Sequence, residues 1–292
     1  MYPGRFDYAV AEDVSEAVSL LAEHGDEAKV LAGGQSLIPL MKLRFASPSV
    51  LVDINRIPSL QGLEQKDGYL RIGALVRHKQ CERAESLGGR WGVLGSAAPQ
   101  ISDPIVRNLG TVCGSIAHAD PQGDWGSALL AAGARVVAEG PKGVREVPLS
   151  ELFVGPFTTV LESTELITEV RVPDPGPRAG GAYLKLERKV GDFATAAVAI
   201  QVELDAAGRV ARAGIALTGV GATNLRAEEA EQALAGAEPG AGRFAEAARL
   251  AAEAAEPIAD HRGDVEYKRN VVRVFVERGL AAAAASAREG AR

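Results

Sequence analysis

The chain has 292 residues, of which 47% are hydrophobic and 24% are charged, with a formal net charge of −6 and a pI near 5.4. At roughly 150 residues a domain, this length suits about two domains of an ordinary globular protein. The acidic balance argues against nucleic acid or an anionic membrane as the main partner. No apolar run approaches the roughly 20 residues of a membrane span.

The cysteines and histidines exclude the common protein metal centres. Only Cys81, Cys113 and four histidines are present, and no Cys-x-x-Cys or His-x-x-x-His pair occurs. An iron–sulfur cluster or a structural zinc ion therefore lacks a set of ligands on this chain. If the protein handles electrons, it needs an organic cofactor. The N-terminal segment has no apolar signal-peptide core, so we expect a cytoplasmic location.

Residues 1–55 predict a small parallel α/β unit. One helix should begin at the capping box Asp13-Val-Ser-Glu16 and end at Gly25. The apolar segments predict strands over residues 6–10, 30–32 and 50–54, with a short helix to about residue 42.

The first candidate site is the loop Ala32-Gly-Gly-Gln-Ser36, between a predicted strand and helix. Glycine has no Cβ, so backbone N–H groups can approach a ligand closely, and Ser36 stands at the helix N-cap. A phosphate suits such a place. The pattern is neither Gly-x-Gly-x-x-Gly nor a P-loop, and alone a tight turn explains it better.

Residues 56–177 predict a second α+β region. Asp67-Gly68 indicates a hairpin, and Pro173-Asp-Pro-Gly-Pro177 is the best domain boundary in the sequence. Other expected elements are helices near residues 79–87, 91–98 and 124–132, a hairpin of 135–138 with 144–147, and a strand over 166–172.

A second glycine loop occupies residues 107–125. Gly110, Thr111, Gly114 and Ser115 could wrap an anion, and Asp124 is an acceptor suited to a ribose or ribityl hydroxyl. A surface turn would explain this loop if it stood alone. Two such loops in one protein suggest a ligand with two phosphates, and a dinucleotide is the obvious candidate.

Residues 178–292 predict an antiparallel meander followed by helices. Strands are expected over residues 183–188, 196–204 and 210–217, and helices near 227–234, 243–255 and 265–285. The alanine-rich segment from Leu280 is most simply the fraying end of the last helix.

The two loops carry a specific resemblance. Ala32-Gly-Gly-Gln-Ser36 with Arg107-Asn-Leu-Gly-Thr111 and Gly114-Ser-Ile-Ala-His-Ala-Asp120 resembles the FAD-binding medium subunit of molybdenum hydroxylases. This is the family of the carbon monoxide dehydrogenase medium chain and the xanthine dehydrogenase FAD subunit, and the likeness covers essentially the whole chain. Cys113 stands where the family usually has glycine. A cysteine would cost energy there if the position needed a positive φ.

The resemblance implies an α+β protein with the two-lobed FAD-binding fold of the vanillyl-alcohol-oxidase (PCMH) type. Residues 1–55 and 56–177 would be the two lobes, and residues 178–292 a C-terminal domain of a three-stranded antiparallel sheet and a helix bundle. The cofactor would be FAD, with no catalytic residue on this chain. The implied FAD-binding residues are Lys29, Leu31, Ala32, Gly33, Gly34, Gln35, Ser36, Leu37, Ile101, Thr111, Gly114, Ser115, Ala117, Asp124, Ile167, Lys185 and Phe193.

Four of these residues have implied roles at the flavin ring. Lys185, which by its strand pattern alone would be a solvated residue, would approach the carbonyl edge of the isoalloxazine and stabilise negative charge on the reduced ring. Phe193 would lie at the ring face, with a plain core role as the alternative. Ile101 and Ile167 would form apolar walls.

Other reactive residue types have simpler explanations. No Gly-x-Ser-x-Gly elbow or triad pattern is present. His118 is interpreted as part of the loop architecture rather than as a catalyst, and Asp120 is left open between acid–base chemistry and bonding of nearby backbone amides before Pro121. Cys81 is interpreted as a buried apolar residue.

The implied function is electron transfer. A large molybdenum-cofactor subunit and a small [2Fe-2S] subunit would be the partners, in a dimer of heterotrimers, and FAD would pass electrons to an acceptor such as NAD or a quinone. One alternative is a free-standing FAD reductase of the same fold, such as UDP-N-acetylenolpyruvoylglucosamine reductase. Another is a non-catalytic nucleotide-binding or assembly protein in which Cys113 has spoiled the flavin site.

Overall fold

The computed structural model describes residues 2–290, which form an α+β protein with three main sheets. Among these residues, no helix combines the length and the apolar character that crossing a membrane requires.

The first sheet is small and parallel, as predicted. Its strand order is β1-β3-β2, and Leu51 and Val52 of the central strand are fully buried. Helix α1 begins where the Asp13 carboxylate accepts a hydrogen bond from the Glu16 backbone N–H at 2.8 Å. The elements are β1 (Asp7–Val10), α1 (Val14–His24), β2 (Ala28–Leu31), α2 (Leu37–Lys42) and β3 (Val50–Asp53).

The second sheet has five antiparallel strands in the order β4-β5-β10-β6-β7. The predicted hairpin at Asp67-Gly68 is present, and both residues have the positive φ of a type I′ turn. The elements are β4 (Leu63–Lys66), β5 (Tyr69–Gly73), α3 (His78–Arg83), α4 (Gly92–Ala97), α5 (Pro104–Leu109), α6 (Val112–His118), α7 (Asp124–Ala131), β6 (Arg135–Gly140), β7 (Gly143–Pro148), α8 (Leu149–Leu152), β8 (Phe153–Gly155), β9 (Thr158–Thr159) and β10 (Leu166–Pro173).

The C-terminal sheet is antiparallel in the order β11-β12-β13-β14. Three long strands match the prediction, and a two-residue strand adds a fourth that the sequence did not reveal. The elements are β11 (Ala179–Leu186), β12 (Ala196–Leu204), β13 (Val210–Thr218), β14 (Leu225–Arg226), α9 (Glu228–Leu234), α10 (Ala241–Ala254) and α11 (Val265–Glu289).

The C-terminal sheet is buried on both faces. Helices α9, α10 and α11 cover one face, and α4 and α7 lie against the other. The approach of α4 and α7 is close, because a Cβ on Gly181 would lie 2.3 Å from the Val93 backbone nitrogen and one on Gly214 would lie 1.9 Å from the Ala131 carbonyl oxygen. The C-terminal half of β11 thereby reaches Asp124 at the end of the second glycine loop.

Two helix predictions need correction. The segment predicted as a helix near residues 79–87 is α3 followed by a separate 3₁₀ turn over Glu85–Leu87. The alanine-rich segment is not a fraying end. Helix α11 continues to Glu289, and Ala283 and Ala287 are completely buried against Gly180, where a Cβ would lie 2.3 Å from the Ala283 carbonyl oxygen. Small side chains are what allow the helix to lie this close to β11.

Candidate functional site

The two glycine loops are in direct contact. A Cβ on Gly33 would lie 2.4 Å from the carbonyl oxygen of Leu109 and 2.8 Å from Cα of Gly110. Real Cβ atoms do not approach backbone atoms so closely, so the contact requires glycine at this position. The sequence predicted two loops that hold one ligand between them, and the structure brings the two loops into contact.

The first loop presents a row of unpaired backbone donors. Within residues 2–290, the backbone N–H groups of residues 33–37 have no hydrogen-bond acceptor. Gly34 has φ +69°, and Gln35 donates from Nε2 to the Gly33 carbonyl at 3.2 Å. Ser36 occupies the predicted N-cap of α2, but its side chain makes no capping hydrogen bond. Consecutive free amides on a half-buried loop that includes a glycine at positive φ are suited to binding an anion.

The second loop is organised by Thr111. Its side-chain oxygen caps α6 by accepting a hydrogen bond from the Gly114 backbone N–H at 3.1 Å. A Cβ on Gly114 would lie 2.6 Å from that oxygen, so glycine is needed here. Ser115 follows in the same turn and is half-buried.

Cys113 does not require glycine's conformational freedom. It lies within α6 with ordinary helical backbone, and its side chain points into the core, where Sγ is 3.6 Å from the Ile72 carbonyl oxygen. Burial raises the pKa of the thiol far above its usual range. The energetic cost that a positive φ would impose is therefore absent, and the sulfur packs against β5 in the core.

A polar link that the sequence did not reveal joins the loops. Arg77 donates from Nη1 to the Leu109 carbonyl oxygen and from Nη2 to Asn55 Oδ1 at 2.6 Å. Asn55 Nδ2 in turn donates to the Ala32 carbonyl oxygen at 2.9 Å. These residues are far apart in the sequence and match no motif, so only the folded chain shows the connection.

Asp124 sits in a buried polar cluster at the far end of the second loop. Its Oδ1 accepts a hydrogen bond from Tyr183 Oη at 2.7 Å, and its Oδ2 accepts one from Lys185 Nζ at 3.0 Å. Lys185 Nζ also donates to the Gln100 carbonyl oxygen at 3.0 Å. Burial raises the pKa of the Asp124 carboxyl, while Lys185 and Tyr183 oppose that rise.

The interpretation of Lys185 as a solvated strand residue is wrong. Only 1% of its side chain is exposed, because the C-terminal sheet is covered on both faces. The structure thus brings Asp124 and Lys185, both predicted as cofactor residues, into contact across the boundary between the second and third sheets.

Phe193 lies in the loop between β11 and β12. About half of its surface is exposed, so the alternative of a core role is wrong. Gly191, two residues before it, packs on the segment just before α5, since a Cβ there would lie 3.1 Å from the Ser102 carbonyl carbon. Arg262 donates to the Phe193 carbonyl oxygen and fixes the loop from the other side.

The remaining predicted residues divide into exposed and buried groups. Lys29 on β2 and Ala117 on α6 are exposed, and Leu31, Ala32 and Leu37 are partly exposed along the first loop. Ile101 and Ile167, in contrast, are buried in the larger hydrophobic core, which they share with Val112 and Ile116 of α6.

The other reactive residues make structural contacts. His118 packs on Phe157, with ring centroids 5.2 Å apart. Asp120 Oδ1 accepts a hydrogen bond from the Gln122 backbone N–H at 2.9 Å, as expected for a loop-forming residue. Cys81 is buried, and burial raises the pKa of its thiol to about 12.

Comparisons with known proteins give two family matches that divide the chain. Residues 4–175 match the FAD binding domain in molybdopterin dehydrogenase, and residues 181–283 match the CO dehydrogenase flavoprotein C-terminal domain.

Individual relatives are similar over nearly their full length. The chain is 43% identical to the carbon monoxide dehydrogenase medium chain of Hydrogenophaga pseudoflava, over 97% of this chain and 98% of the relative. It is 41% identical to the 6-hydroxypseudooxynicotine dehydrogenase complex subunit alpha of Paenarthrobacter nicotinovorans, over 99% and 97%. A solved structure of the Hydrogenophaga pseudoflava carbon monoxide dehydrogenase, in a form that lacks the Mo-pyranopterin moiety, matches with a TM-score of 0.94 at 44% identity. That match covers 98% of this chain and 99% of the other.

Proposed function

Because the chain belongs to the family of FAD-binding medium subunits of molybdopterin dehydrogenases, we propose that it carries FAD and transfers electrons within a molybdenum hydroxylase. The family, the two-lobed fold class and the FAD cofactor predicted from the sequence are confirmed. The observation that carries the proposal is the contact between the two glycine loops, beside the unpaired amides of residues 33–37.

The residues present fit the cofactor. A diphosphate needs several free donors and no side chain between it and the backbone, and the first loop has unpaired amides next to two glycines. The glycines at positions 33 and 114 keep Cβ atoms out of the two loops. Asp124 and Lys185 provide a buried polar pair of opposite charge in the same part of the protein. We assign the diphosphate to residues 32–37 and 111–115, and the sugar hydroxyls to Asp124.

Residues in and beside the second and third sheets would contact the isoalloxazine ring of the cofactor. Bound FAD supplies the ability to exchange electrons one at a time with a metal cluster and two at a time with an organic acceptor. Lys185 would place a desolvated positive charge near the ring, where it favours negative charge. Phe193 would cover a ring face from its half-exposed loop, while Ile101 and Ile167 would form apolar walls.

The partners follow from the same assignment. The names of the relatives describe a medium chain and a subunit of a complex, which supports a multisubunit assembly for this chain. We assign it a large molybdenum-cofactor subunit and a small [2Fe-2S] subunit, in a dimer of heterotrimers located in the cytoplasm. The two relatives are named for different substrates, and we assign substrate binding to the large subunit.

The two alternatives lose support. The assembly-protein hypothesis depended on Cys113 spoiling the flavin site, and its sulfur points into the core instead. The free-standing reductase is disfavoured because the C-terminal region matches the CO dehydrogenase flavoprotein domain.

The test is purification of the tagged chain from its natural host, followed by subunit, metal and flavin analysis. We expect two further subunits, molybdenum, iron and FAD to purify together, with cell fractionation placing them in the cytoplasm. A yellow chain that purifies without any partner would contradict the electron-transfer role and favour the reductase.

A further inference from the structure

We propose that Arg77 and Asn55 form a clamp that sets the spacing of the two glycine loops for the diphosphate of FAD. The clamp is defined as the hydrogen-bonded path from the Ala32 carbonyl through Asn55 and Arg77 to the Leu109 carbonyl. The inference rests on the proposed function and adds two positioning residues to the FAD site, Arg77 and Asn55, which belong to neither glycine motif.

The two ends of the clamp lie next to the residues that make the loops. Ala32 immediately precedes Gly33, and Leu109 immediately precedes Gly110. Gly33 itself packs on Leu109 and Gly110, so the clamp and the loop contact fix the same separation. A shift of either carbonyl would move the amides of residues 33–37 relative to the second loop.

The clamp is anchored on the parallel sheet. Asp53, at the end of β3, accepts hydrogen bonds at Oδ1 from the Asn55 backbone N–H at 2.8 Å and from Asn55 Nδ2 at 2.6 Å. Tyr8 on the neighbouring strand β1 donates to the other Asp53 oxygen. Asn55 is thus held in one orientation, with its side-chain oxygen directed at Arg77.

The charge of Arg77 also suits an anion. The side chain is half-buried, and among residues 2–290 no carboxylate oxygen lies within 4.0 Å of its guanidinium nitrogens. Its two hydrogen-bond acceptors, the Leu109 carbonyl oxygen and Asn55 Oδ1, are both neutral. The Asp53 carboxylate acts on Arg77 through space, but it forms no direct ion pair with it, so the guanidinium on the path between the two loops still raises the local potential for a diphosphate.

The experiment uses the full chain, freed of flavin and titrated with FAD while the flavin fluorescence is followed. Arg77→Gln and Asn55→Ala should each raise the dissociation constant by roughly 10- to 100-fold, the usual effect of losing a hydrogen bond that involves a charged group. Because both residues belong to one path, the double variant should bind FAD only a few fold more weakly than either single variant.

Two further variants separate the clamp from general effects of charge. Arg56→Gln is the matched control, since Arg56 lies in the adjacent loop but is exposed and pairs with Glu12. It should bind FAD like the unaltered chain. Arg77→Lys keeps the charge but replaces the two guanidinium nitrogens, which bond Leu109 and Asn55 separately, by a single ammonium nitrogen, so it should also lose at least about tenfold in affinity.

Thermal unfolding distinguishes positioning from folding. The flavin-free clamp variants should unfold within a few degrees of the unaltered chain, whereas the gain in unfolding temperature on adding FAD should shrink. Unchanged affinity in Arg77→Gln and Asn55→Ala, or full affinity in Arg77→Lys, would overturn the clamp. Failure of the unaltered chain to bind FAD would instead overturn the proposed function.

Discussion

Lys185 Nζ lies 3.0 Å from Asp124 Oδ2, and this ion pair connects the C-terminal sheet to helix α7 in the interior of the protein. Both side chains are removed from water, and each is held by a second partner, Gln100 for the lysine and Tyr183 for the aspartate. A buried pair of this kind ties the orientation of two elements together, because either charge alone would be unfavourable.

Lys185→Met is expected to lower the free energy of unfolding of the flavin-free chain by about 3 kcal/mol, because it leaves the Asp124 carboxylate buried without a cation. Urea unfolding measures the change. Lys189→Met, at an exposed position four residues on, is the control and should change stability by less than about 0.5 kcal/mol. The double variant of Lys185→Met with Asp124→Asn should recover part of the loss. A Lys185→Met chain as stable as the unaltered protein would contradict this account of the pair.

Gly33→Ala is expected to weaken FAD binding by more than about tenfold, because the new Cβ must push the first loop away from the Leu109 carbonyl. The measurement is the FAD titration by fluorescence. Gly62→Ala is a matched control, since a Cβ at that position meets nothing within 4 Å. Equal affinities of the two variants would mean that the loop contact does not govern the cofactor site.

Cys113→Gly is expected to leave FAD affinity unchanged, because the sulfur lies in the core and the backbone there is helical. It should reduce the free energy of unfolding by about 1 kcal/mol or more, since glycine is a poor helix residue and the side chain's contacts are lost. Cys113→Ala, which keeps the helix propensity, should cost less. A gain in FAD affinity in Cys113→Gly would show that the cysteine does impair the flavin site.

The stability of the protein should depend on pH through His78. Its Nδ1 accepts a hydrogen bond from Trp125 Nε1 at 2.9 Å, and its backbone N–H donates to Gly110 in the second loop. Burial, with Arg107 and Arg77 nearby, lowers the pKa of His78 from 6.5 to about 4. As the pH falls, His78 is therefore protonated in the unfolded chain before it is protonated in the folded chain. The stabilisation that comes from the neutral His78 is complete above pH 6.5 and is lost as the pH falls toward 4.

Urea unfolding at a series of pH values checks this contribution, which amounts to about 3 kcal/mol over the window. His78→Gln, which does not titrate, should lose less stability than the unaltered chain over the same range. Comparing the two chains removes the effect of the carboxylates, which titrate in both. Parallel pH profiles for the two chains would show that His78 is not held neutral in the folded state.

Sequence patterns were sufficient for the parts of the fold that depend on local signals. The Asp67-Gly68 hairpin, the capped helix α1 and the strand-loop-helix junction at Gly33 all follow from neighbouring residues. The burial of Lys185 does not, because it depends on a sheet covered on both faces by segments distant in the sequence. The direction of the Cys113 side chain likewise depends on which face of α6 meets β5. No local pattern singles out Arg77 and Asn55, since each is an ordinary polar residue in the sequence and the two meet only when the loops are brought together.

The most direct test of the FAD assignment is the visible absorption spectrum of the purified full chain, followed by denaturation and identification of the released cofactor. The account predicts a yellow protein with bands near about 370 and 450 nm and FAD in the supernatant. A colourless chain that also fails to take up added FAD would contradict the assignment of the two glycine loops to the cofactor.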